Sequence, residues 1–280
     1  MNKHTFQCGR YRLSVLPDCT PLVMGVLNVT PDSFSDGGQF YSLDAALTRA
    51  EQMIDAGVDI IDIGGESSRP GALPISIDEE LRRVLPVIFA LRDCGKPLSI
   101  DTCKPRVIVE ALAAGADMIN DITGFRQGNV LSAINDSGCA LCIMHMQLTP
   151  QTMQDRPVYK NVTEQVTTFL RDRVADCHAA GIENERLCID PGFGFGKSFE
   201  HNLDLLKNIR AISAELQLPL LAGLSRKSMI GSLTGKSVEG RLAGSIAAAI
   251  VAADNGAAIV RVHDVAETVD AFNVWRATRP

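Results

Sequence analysis

A pattern that recurs along the 280-residue chain constrains its fold more than any other feature. A stretch with helical periodicity is followed by a glycine, and then by a short apolar run that ends in polar residues. The glycines that introduce such runs are Gly57, Gly95, Gly115, Gly138, Gly181 and Gly256. Glycine is the usual residue just past a helix end. Continuous apolar strands between helices indicate a parallel sheet that is buried on both faces.

Two further apolar runs, LVMGVLN and LPLLAGLS, raise the number of predicted strands to eight. The strands are predicted at 22–28, 59–63, 97–101, 117–121, 140–145, 186–190, 219–224 and 258–262. The helices are predicted near 43–56, 78–94, 105–114, 128–138, 161–180, 201–216, 228–234 with 239–255, and 265–277. Eight βα units in this length predict an α/β protein with the TIM (β/α)8 barrel fold, in one domain over 1–280. A doubly wound open sheet is the alternative, although it usually has fewer strands and a single topological switch point.

Residues 5–16 precede the first βα unit and resemble a small hairpin, which we expect to plug the bottom of the barrel. The segment around it lacks the apolar run of a signal peptide. The longest run of small apolar residues, at 245–253, is too short to cross a bilayer. We therefore expect a soluble, cytoplasmic protein.

The net charge and the cysteines narrow the functional classes. A formal net charge of -6 argues against nucleic acid or an anionic membrane as the main partner.

The eight cysteines are scattered and do not imply disulfides. Cys139 and Cys142 form one C-x-x-C, but on a strand their odd offset sends the two side chains to opposite faces. Buried structural thiols are therefore favoured over a metal or redox site.

The glycine-rich stretch IDPGFGFGKS at 189–198 resembles a phosphate-binding loop. A P-loop requires a glycine five positions before the glycine of its Gly-Lys-Ser/Thr ending. Counting back from Gly196, that position is Pro191. A nucleotide P-loop is therefore disfavoured, and the stretch needs another function.

Every predicted strand ends in polar residues or is followed by them, at the edge where a TIM barrel carries its active site. They are Asn28; Asp62 with the loop 64–70; Asp101; Asn120 with Asp121; His145; Asp190; Ser225 with Lys227; and Arg261 with His263. A single Asp at a strand end often caps the next helix. Convergence of all eight strand ends favours a binding site, in which His145 is either a base or a packing residue.

These residues fall into two chemical groups. Asp101, Asn120, Asp190 and Lys227 suit a flat heterocycle with alternating donors and acceptors, because a carboxylate accepts from a ring N–H and an exocyclic amine as it does from arginine. The second group suits a phosphate or diphosphate and consists of Asn28, Arg69, Arg261 and His263. Asn28 also offers an oxygen ligand for Mg²⁺.

Eight motifs resemble those of the dihydropteroate synthase family and lie in order across nearly the whole chain. They are LNVTPDSFSDGG (27–38), GGESSRPGA (64–72), SIDT (99–102), INDITG (119–124), MHMQ (144–147), IDPGFGFGK (189–197), GLSRKS (223–228) and RVHD (261–264). The resemblance implies a Mg²⁺-dependent, homodimeric TIM barrel transferase. Such enzymes join 6-hydroxymethyl-7,8-dihydropterin diphosphate to p-aminobenzoate and release diphosphate.

The same resemblance implies a role for each matching residue. The pterin would be bound by Asp101, Asn120, Asp190, Lys227 and Arg261, with Arg261 stacking on its ring. The diphosphate and Mg²⁺ would be held by Asn28, Arg69, Arg261 and His263. The p-aminobenzoate, or a sulfonamide inhibitor in its place, would be framed by Ser68, Pro70, Phe195 and Ser225.

The catalytic set would be Asp101, Lys227, Arg261 and His263. We expect a dissociative displacement in which Asp101 stabilises a cation on the pterin methylene and cations stabilise the leaving group. The chain departs from the family at Ser68, where threonine is common, and at Leu148, where glycine is common after MHMQ. The second departure affects the conformation of the loop after the fifth strand.

Two other functions stay open at this stage. Lys227 near a barrel strand end could form a Schiff base, as in an aldolase. The chain could also be a non-catalytic pterin-binding barrel, or the pterin module of a methyltransferase. A protein that only binds pterin could dispense with Arg261, His263 and the first loop, and this chain keeps all three.

Overall fold

A computed structural model of the chain describes residues 5–15, 20–29, 39–67, 71–127, 130–148, 152–153 and 157–279. It begins with an antiparallel hairpin of β1 (Thr5–Cys8) and β2 (Tyr11–Ser14). The strands that follow are β3 (Leu22–Asn28), β4 (Ile60–Gly64), β5 (Leu98–Asp101), β6 (Met118–Asp121), β7 (Ala140–Met144), β8 (Leu187–Asp190), β9 (Leu221–Ala222) and β10 (Ile259–Val262).

These eight strands form one parallel sheet in the order β8-β7-β6-β5-β4-β3-β10-β9. A parallel bridge between Ile189 and Leu220 joins the two outer strands, and the backbone N–H of Ile189 donates to the carbonyl of Pro219 at 3.0 Å. The sheet is therefore a nearly closed barrel. This confirms the predicted TIM barrel and excludes the open sheet.

Helices follow the strands on the outside of the barrel. They are α1 (Gln39–Asp55), α2 (Ile77–Leu91), α3 (Pro105–Ala114), α4 (Val130–Ile134), α5 (Val162–Ala179), α6 (Phe199–Lys207), α7 (Ile209–Leu216), α8 (Ser228–Thr234), α9 (Leu242–Asp254) and α10 (Val265–Ala277). No helix among the described ranges is long and apolar enough to cross a membrane.

Two helix predictions differ from the structure. The single helix predicted at 201–216 is wrong, because Asn208 leaves helical dihedrals at φ -105 and ψ 11 between α6 and α7. The side-chain amide of Asn208 donates to the carbonyl of Asp204 at 2.8 Å, a local bond that competes with helix propagation. The helix predicted at 128–138 is the short α4 and a 3₁₀ turn, which ends at Gly138 with φ 69.

The apolar core has an outer layer between strands and helices and an inner layer inside the barrel. The inner layer comprises Met24, Ile60, Met118, Ala140, Cys142, Cys188, Leu221 and Ile259, with Phe6 and Cys8 of the hairpin. The hairpin is fastened by Arg10, which donates to the Asp117 carboxylate at 2.9 and 3.1 Å. It therefore plugs the barrel as expected. Cys139 lies in the outer layer and Cys142 in the inner layer, so the two side chains do face opposite sides.

Candidate active site

The carboxyl ends of the strands bring an arginine and two carboxylates together inside the barrel. Arg261 on β10 donates through Nε to Asp62 Oδ2 at 2.6 Å and through Nη2 to Asp101 Oδ2 at 2.8 Å. Asn120 Nδ2 lies 3.3 Å from the same Asp62 oxygen. Burial would lower the pKa of Arg261, but Asp62 and Asp101 outweigh it and raise that pKa above its ordinary value. The guanidinium is a permanent cation that is held in place before any ligand arrives.

Part of this polar floor has no internal partner. Asp62 Oδ1, Asn120 Oδ1 and Ser99 Oγ are buried and form no hydrogen bond with any residue in the described part of the chain. A buried polar atom without a partner costs about 1–3 kcal/mol. Burial also raises the pKa of Asp101, against the pull of Arg261. Such a floor suits a polar ligand that supplies the missing partners.

Asp190 and Lys227 form the opposite wall. Asp190 is buried, and its Oδ1 accepts from the backbone N–H of Gly192 at 2.6 Å. Burial lowers the pKa of Lys227 to about 8, opposed by the charge of Asp190. A Cβ added at Gly223 would lie 3.9 Å from both Asp190 Oδ2 and the Cβ of Arg261. Glycine at this position therefore leaves open the space between the acidic wall and the arginine.

The glycine run after β8 packs against β7 and the loop after β9, and its three alternate glycines have φ 71, 79 and 62. A Cβ at Gly192 would lie 1.9 Å from the carbonyl oxygen of His145, and one at Gly196 would lie 2.9 Å from Gln147. The run therefore has the conformation and the close contacts that only glycine permits. It shapes the wall beside Asp190.

Ser225 and His263 contact each other at the ends of neighbouring strands. The Ser225 hydroxyl accepts from the backbone N–H of His263 at 3.2 Å and lies 3.0 Å from its Nδ1. Burial, with Arg261 and Arg226 nearby, lowers the pKa of His263 to about 3. His263 is therefore neutral in the free protein, and not the cation that its sequence position predicts. In the tautomer whose Nδ1 accepts from the Ser225 hydroxyl, the ring proton lies on Nε2, which is then a hydrogen-bond donor.

Of the remaining predicted site residues, some lie outside the part of the chain that the structure describes and the others lie in the site. Ser68, Arg69 and Pro70 lie outside the described residues. Phe195 is buried, and Lys227 Nζ lies 4.1 Å from the centroid of its ring. The structure thus brings together Asp101, Asn120, Asp190, Phe195, Ser225, Lys227, Arg261 and His263 at one end of the barrel, with Asn28 at the end of β3.

Comparison with known proteins decides the family. The family model described as "Pterin binding enzyme" matches residues 24–263. The chain belongs to the pterin-binding enzyme family.

Relatives of this pterin-binding enzyme are named dihydropteroate synthase. The one from Haemophilus influenzae is 51% identical over 261 residues, which cover 92% of this chain and 94% of the relative. These matches confirm the resemblance that the motifs indicated.

Solved structures show the same fold with ligands. The Xanthomonas albilineans dihydropteroate synthase with 4-aminobenzoic acid has a TM-score of 0.91 and 47% identity, covering 99% of both chains. The Burkholderia cenocepacia enzyme complexed with 7,8-dihydropteroate has a TM-score of 0.89 and 50% identity, covering 98% of this chain and 96% of that one. The Yersinia pestis enzyme in a sulfonamide drug complex has a TM-score of 0.91 and 46% identity, covering 98% and 99%.

A magnesium ion fits this pterin-binding site only as a partner of a bound anion. Within the described ranges, no group of three or more His, Cys, Asp or Glu side chains could hold a metal. Asn28 supplies one amide oxygen, and a Cβ added at Gly64 would lie 3.4 Å from it and 3.8 Å from the Cβ of Asp101. Mg²⁺ usually keeps several waters and binds through one or two protein oxygens plus substrate phosphates. The chemistry of Asn28 is compatible with that mode.

Two structural features of the site in this pterin-binding enzyme were not predicted from the sequence patterns. Lys197 has a buried ammonium that lies 3.0 Å from His145 Nδ1 and 3.0 Å from the carbonyl oxygen of Phe195. Burial lowers the pKa of His145 to about 2, and its ring contacts Phe169 edge-on with centroids 4.9 Å apart. His145 is therefore a packing residue and not a base. The second feature is the bond between Asp62 and Arg261: the sequence predicted Asp62 at a strand end of the site, but not this partner.

Proposed function

We propose that the chain is a dihydropteroate synthase. It joins 6-hydroxymethyl-7,8-dihydropterin diphosphate to p-aminobenzoate and forms 7,8-dihydropteroate and diphosphate. The observation that carries the proposal is the ring of buried polar side chains at the barrel's carboxyl end, in which Arg261 is fixed between Asp62 and Asp101 and faces Asp190. Relatives of about 50% identity that bind p-aminobenzoate or dihydropteroate support it.

The pterin would lie flat between the two walls. Asp190 accepts from the ring N–H and the exocyclic amine, as a carboxylate does from arginine. Lys227 donates to the ring carbonyl, and Asn120 and Asp101 pair with the remaining ring nitrogens. Arg261 stacks on the face of the ring. Burial lowers the pKa of Lys227 and raises the pKa of Asp190, and perturbed pKa values of this kind are typical of groups in a functional site.

The aromatic acid would occupy the space beside Phe195 and Ser225, with Ser68 and Pro70 completing the subsite. The ring of Phe195 packs in a cluster with Ile122, Met144, Met146 and Met153. An apolar wall of this kind suits a benzoate ring, while the Ser225 hydroxyl suits a polar substituent. A sulfonamide would compete for the same space.

The leaving diphosphate would be held by Asn28, Arg69, Arg261 and the neutral Nε2–H of His263. Mg²⁺ bound at Asn28 would neutralise charge that develops on the diphosphate. The C–O bond of the pterin methylene breaks and its electron pair leaves with the diphosphate. The aryl amine then forms the C–N bond and loses a proton to solvent. Asp101, close to Arg261, stabilises the positive charge on the methylene in between.

The test is incubation of the purified protein with the dihydropterin diphosphate, p-aminobenzoate and Mg²⁺. We expect dihydropteroate and diphosphate in equal amounts, with production suppressed by a chelator. Asp190→Asn should abolish pterin binding, while the surface variant Asp172→Asn should leave it unchanged. Normal pterin affinity in Asp190→Asn would sink the assignment. Borohydride trapping of Lys227 with a carbonyl substrate would instead support the aldolase alternative.

We also propose that the chain forms a homodimer. Apolar side chains are exposed on and beside α8 and α9, namely Leu233, Val238, Leu242 and Val251. Light scattering of the purified protein should give twice the mass of one chain, and a monomer at micromolar concentration would contradict the proposal. The cytoplasmic location stays a prediction.

A further inference from the structure

Lys197 is a deeply buried cation that the reaction outlined above does not use. Its side chain is 3% exposed. Its Nζ lies 3.0 Å from His145 Nδ1, 3.3 Å from the carbonyl oxygen of His145 and 3.0 Å from the carbonyl oxygen of Phe195. An ammonium has three hydrogens. One neutral imidazole nitrogen and two carbonyls therefore match its donors one for one.

These acceptors lie on two different parts of the barrel mouth. His145 directly follows β7, and Phe195 lies in the glycine run after β8. The same two segments meet where Gly192 and Gly196 approach His145 and Gln147 without room for a side chain. The hydroxyl of Tyr159 also donates to the carbonyl of Gly196 at 2.9 Å. Lys197 thus lies at the centre of the hydrogen bonds that join the segment after β7 to the glycine run at this junction.

The ring of Phe195 is the part of this junction that faces the site. Its backbone carbonyl is held by Lys197, while the ammonium of Lys227 lies over its ring at 4.1 Å. The backbone carbonyl that Lys197 holds and the ring that Lys227 covers thus belong to the same residue.

We propose that Lys197 is a positioning residue for the aromatic-acid subsite, which fixes the backbone of Phe195 and through it the ring that borders p-aminobenzoate. The inference rests on the proposed function, since that function defines the subsite. Burial of this ammonium is unfavourable: it lowers the pKa of Lys197 to about 7, with Lys227 acting in the same direction and Asp190 opposing. The neighbouring His145 is neutral and adds no charge. An apolar residue would avoid this cost, but it would leave the carbonyls of His145 and Phe195 without their donor.

The test compares the Michaelis constants of the two substrates. Lys197→Met should raise KM for p-aminobenzoate about tenfold, the equivalent of one to two lost hydrogen bonds. KM for the dihydropterin diphosphate should change less than about twofold, because Asp190 and Lys227 remain. Lys207→Met, an exposed lysine at the end of α6, is the matched control and should change neither constant.

A second readout separates positioning from general damage. In a Phe195→Ala background, Lys197→Met should change KM for p-aminobenzoate less than about twofold, because the ring through which it acts is gone. Should Lys197→Met fail to fold, Lys197→Gln keeps amide donors and should raise this KM about threefold, while an unchanged KM would overturn the proposal.

The outcomes also distinguish the two proposals. Wild-type protein that makes no dihydropteroate would refute the proposed function itself. Active wild-type protein in which Lys197→Met raises both Michaelis constants equally, or in which its effect persists without Phe195, would refute the positioning role alone.

Discussion

Gly192→Ala should lower both the free energy of unfolding and the affinity for pterin. Gly192 contacts the backbone of His145 after β7, and its N–H donates to the carboxylate of Asp190 at the end of β8. A Cβ there would lie 1.9 Å from the carbonyl oxygen of His145, whereas real Cβ contacts are essentially never shorter than 3.0 Å. The backbone must therefore move by about 1 Å, as in an overpacked core. The N–H of Gly192 donates to Asp190 Oδ1 at 2.6 Å, so the same movement displaces the proposed pterin carboxylate.

The magnitude follows from a matched glycine. Gly138 has φ 69, close to the 71 of Gly192, but an added Cβ would meet nothing within 4 Å. Its substitution costs only the left-handed backbone, about 1–2 kcal/mol, less about 0.4–1 kcal/mol from the stiffer unfolded chain. We expect Gly138→Ala to destabilise by about 1 kcal/mol. Gly192→Ala adds about 1–3 kcal/mol of steric strain, for a total of about 2–4 kcal/mol.

The assay is urea unfolding of both variants, followed by equilibrium binding of the pterin substrate. Gly192→Ala should unfold at a clearly lower urea concentration than Gly138→Ala and should bind pterin at least about tenfold more weakly, as expected for loss of one charge-assisted hydrogen bond. Gly138→Ala should bind pterin normally. Equal unfolding midpoints, or unchanged pterin affinity in Gly192→Ala, would refute the steric argument.

Three further predictions concern single positions. Gly223→Ala should leave the melting temperature unchanged, since its Cβ meets ordinary contacts at 3.9 Å, but it should weaken pterin binding by filling space beside Asp190 and Arg261; an unaltered pterin Kd would contradict this. Leu148 has a left-handed backbone with φ 64, so Leu148→Gly should stabilise by about 0.5–1 kcal/mol and raise Tm; a lower Tm would count against strain at this position. The pKa of Lys197 falls from 10.5 to about 7 on folding, so the unfolded chain holds more protons between these pH values and stability should rise with pH there. Relative to Lys197→Met, the wild type should gain up to about 1.4 kcal/mol per pH unit above pH 7, measured by urea unfolding, and parallel profiles would disprove the titration.

Most of the barrel could be predicted because each buried parallel strand is a short apolar run with a clear start and end. Seven of the eight strands lie within one residue of their predicted bounds. The exception is β9, predicted at 219–224 and observed at Leu221–Ala222. Its ladder is short because Leu220 forms only an isolated bridge to Ile189, at the seam where the barrel closes. How the barrel closes between β8 and β9 depends on the positions of all eight strands, so the length of β9 could not be predicted from its local sequence pattern.

The sequence could predict the site residues that lie at strand ends or in recognisable motifs, but not the contacts between their side chains. Asp101, Asn120, Asp190 and Arg261 stand where parallel strands end, so topology alone brings them together. The partners of each side chain depend on contacts between residues far apart in sequence. Lys197 meets His145 across 52 residues, and Arg261 meets Asp62 across 199. The charge state of His263 is a further example, since burial next to two arginines keeps it neutral.

Arg261 pairs with two carboxylates, so one of them can bind a ligand while the other keeps the guanidinium in place. Asp62 is fully buried and also lies within reach of Asn120, whereas Asp101, buried as well, ends β5 and keeps 9% of its surface exposed. A ligand can therefore draw on Asp101 while Asp62 keeps the guanidinium charged and in place. A preorganised cation needs no rearrangement when negative charge develops on a leaving group. We therefore expect the second carboxylate to let one arginine serve both the proposed pterin face and the proposed diphosphate site.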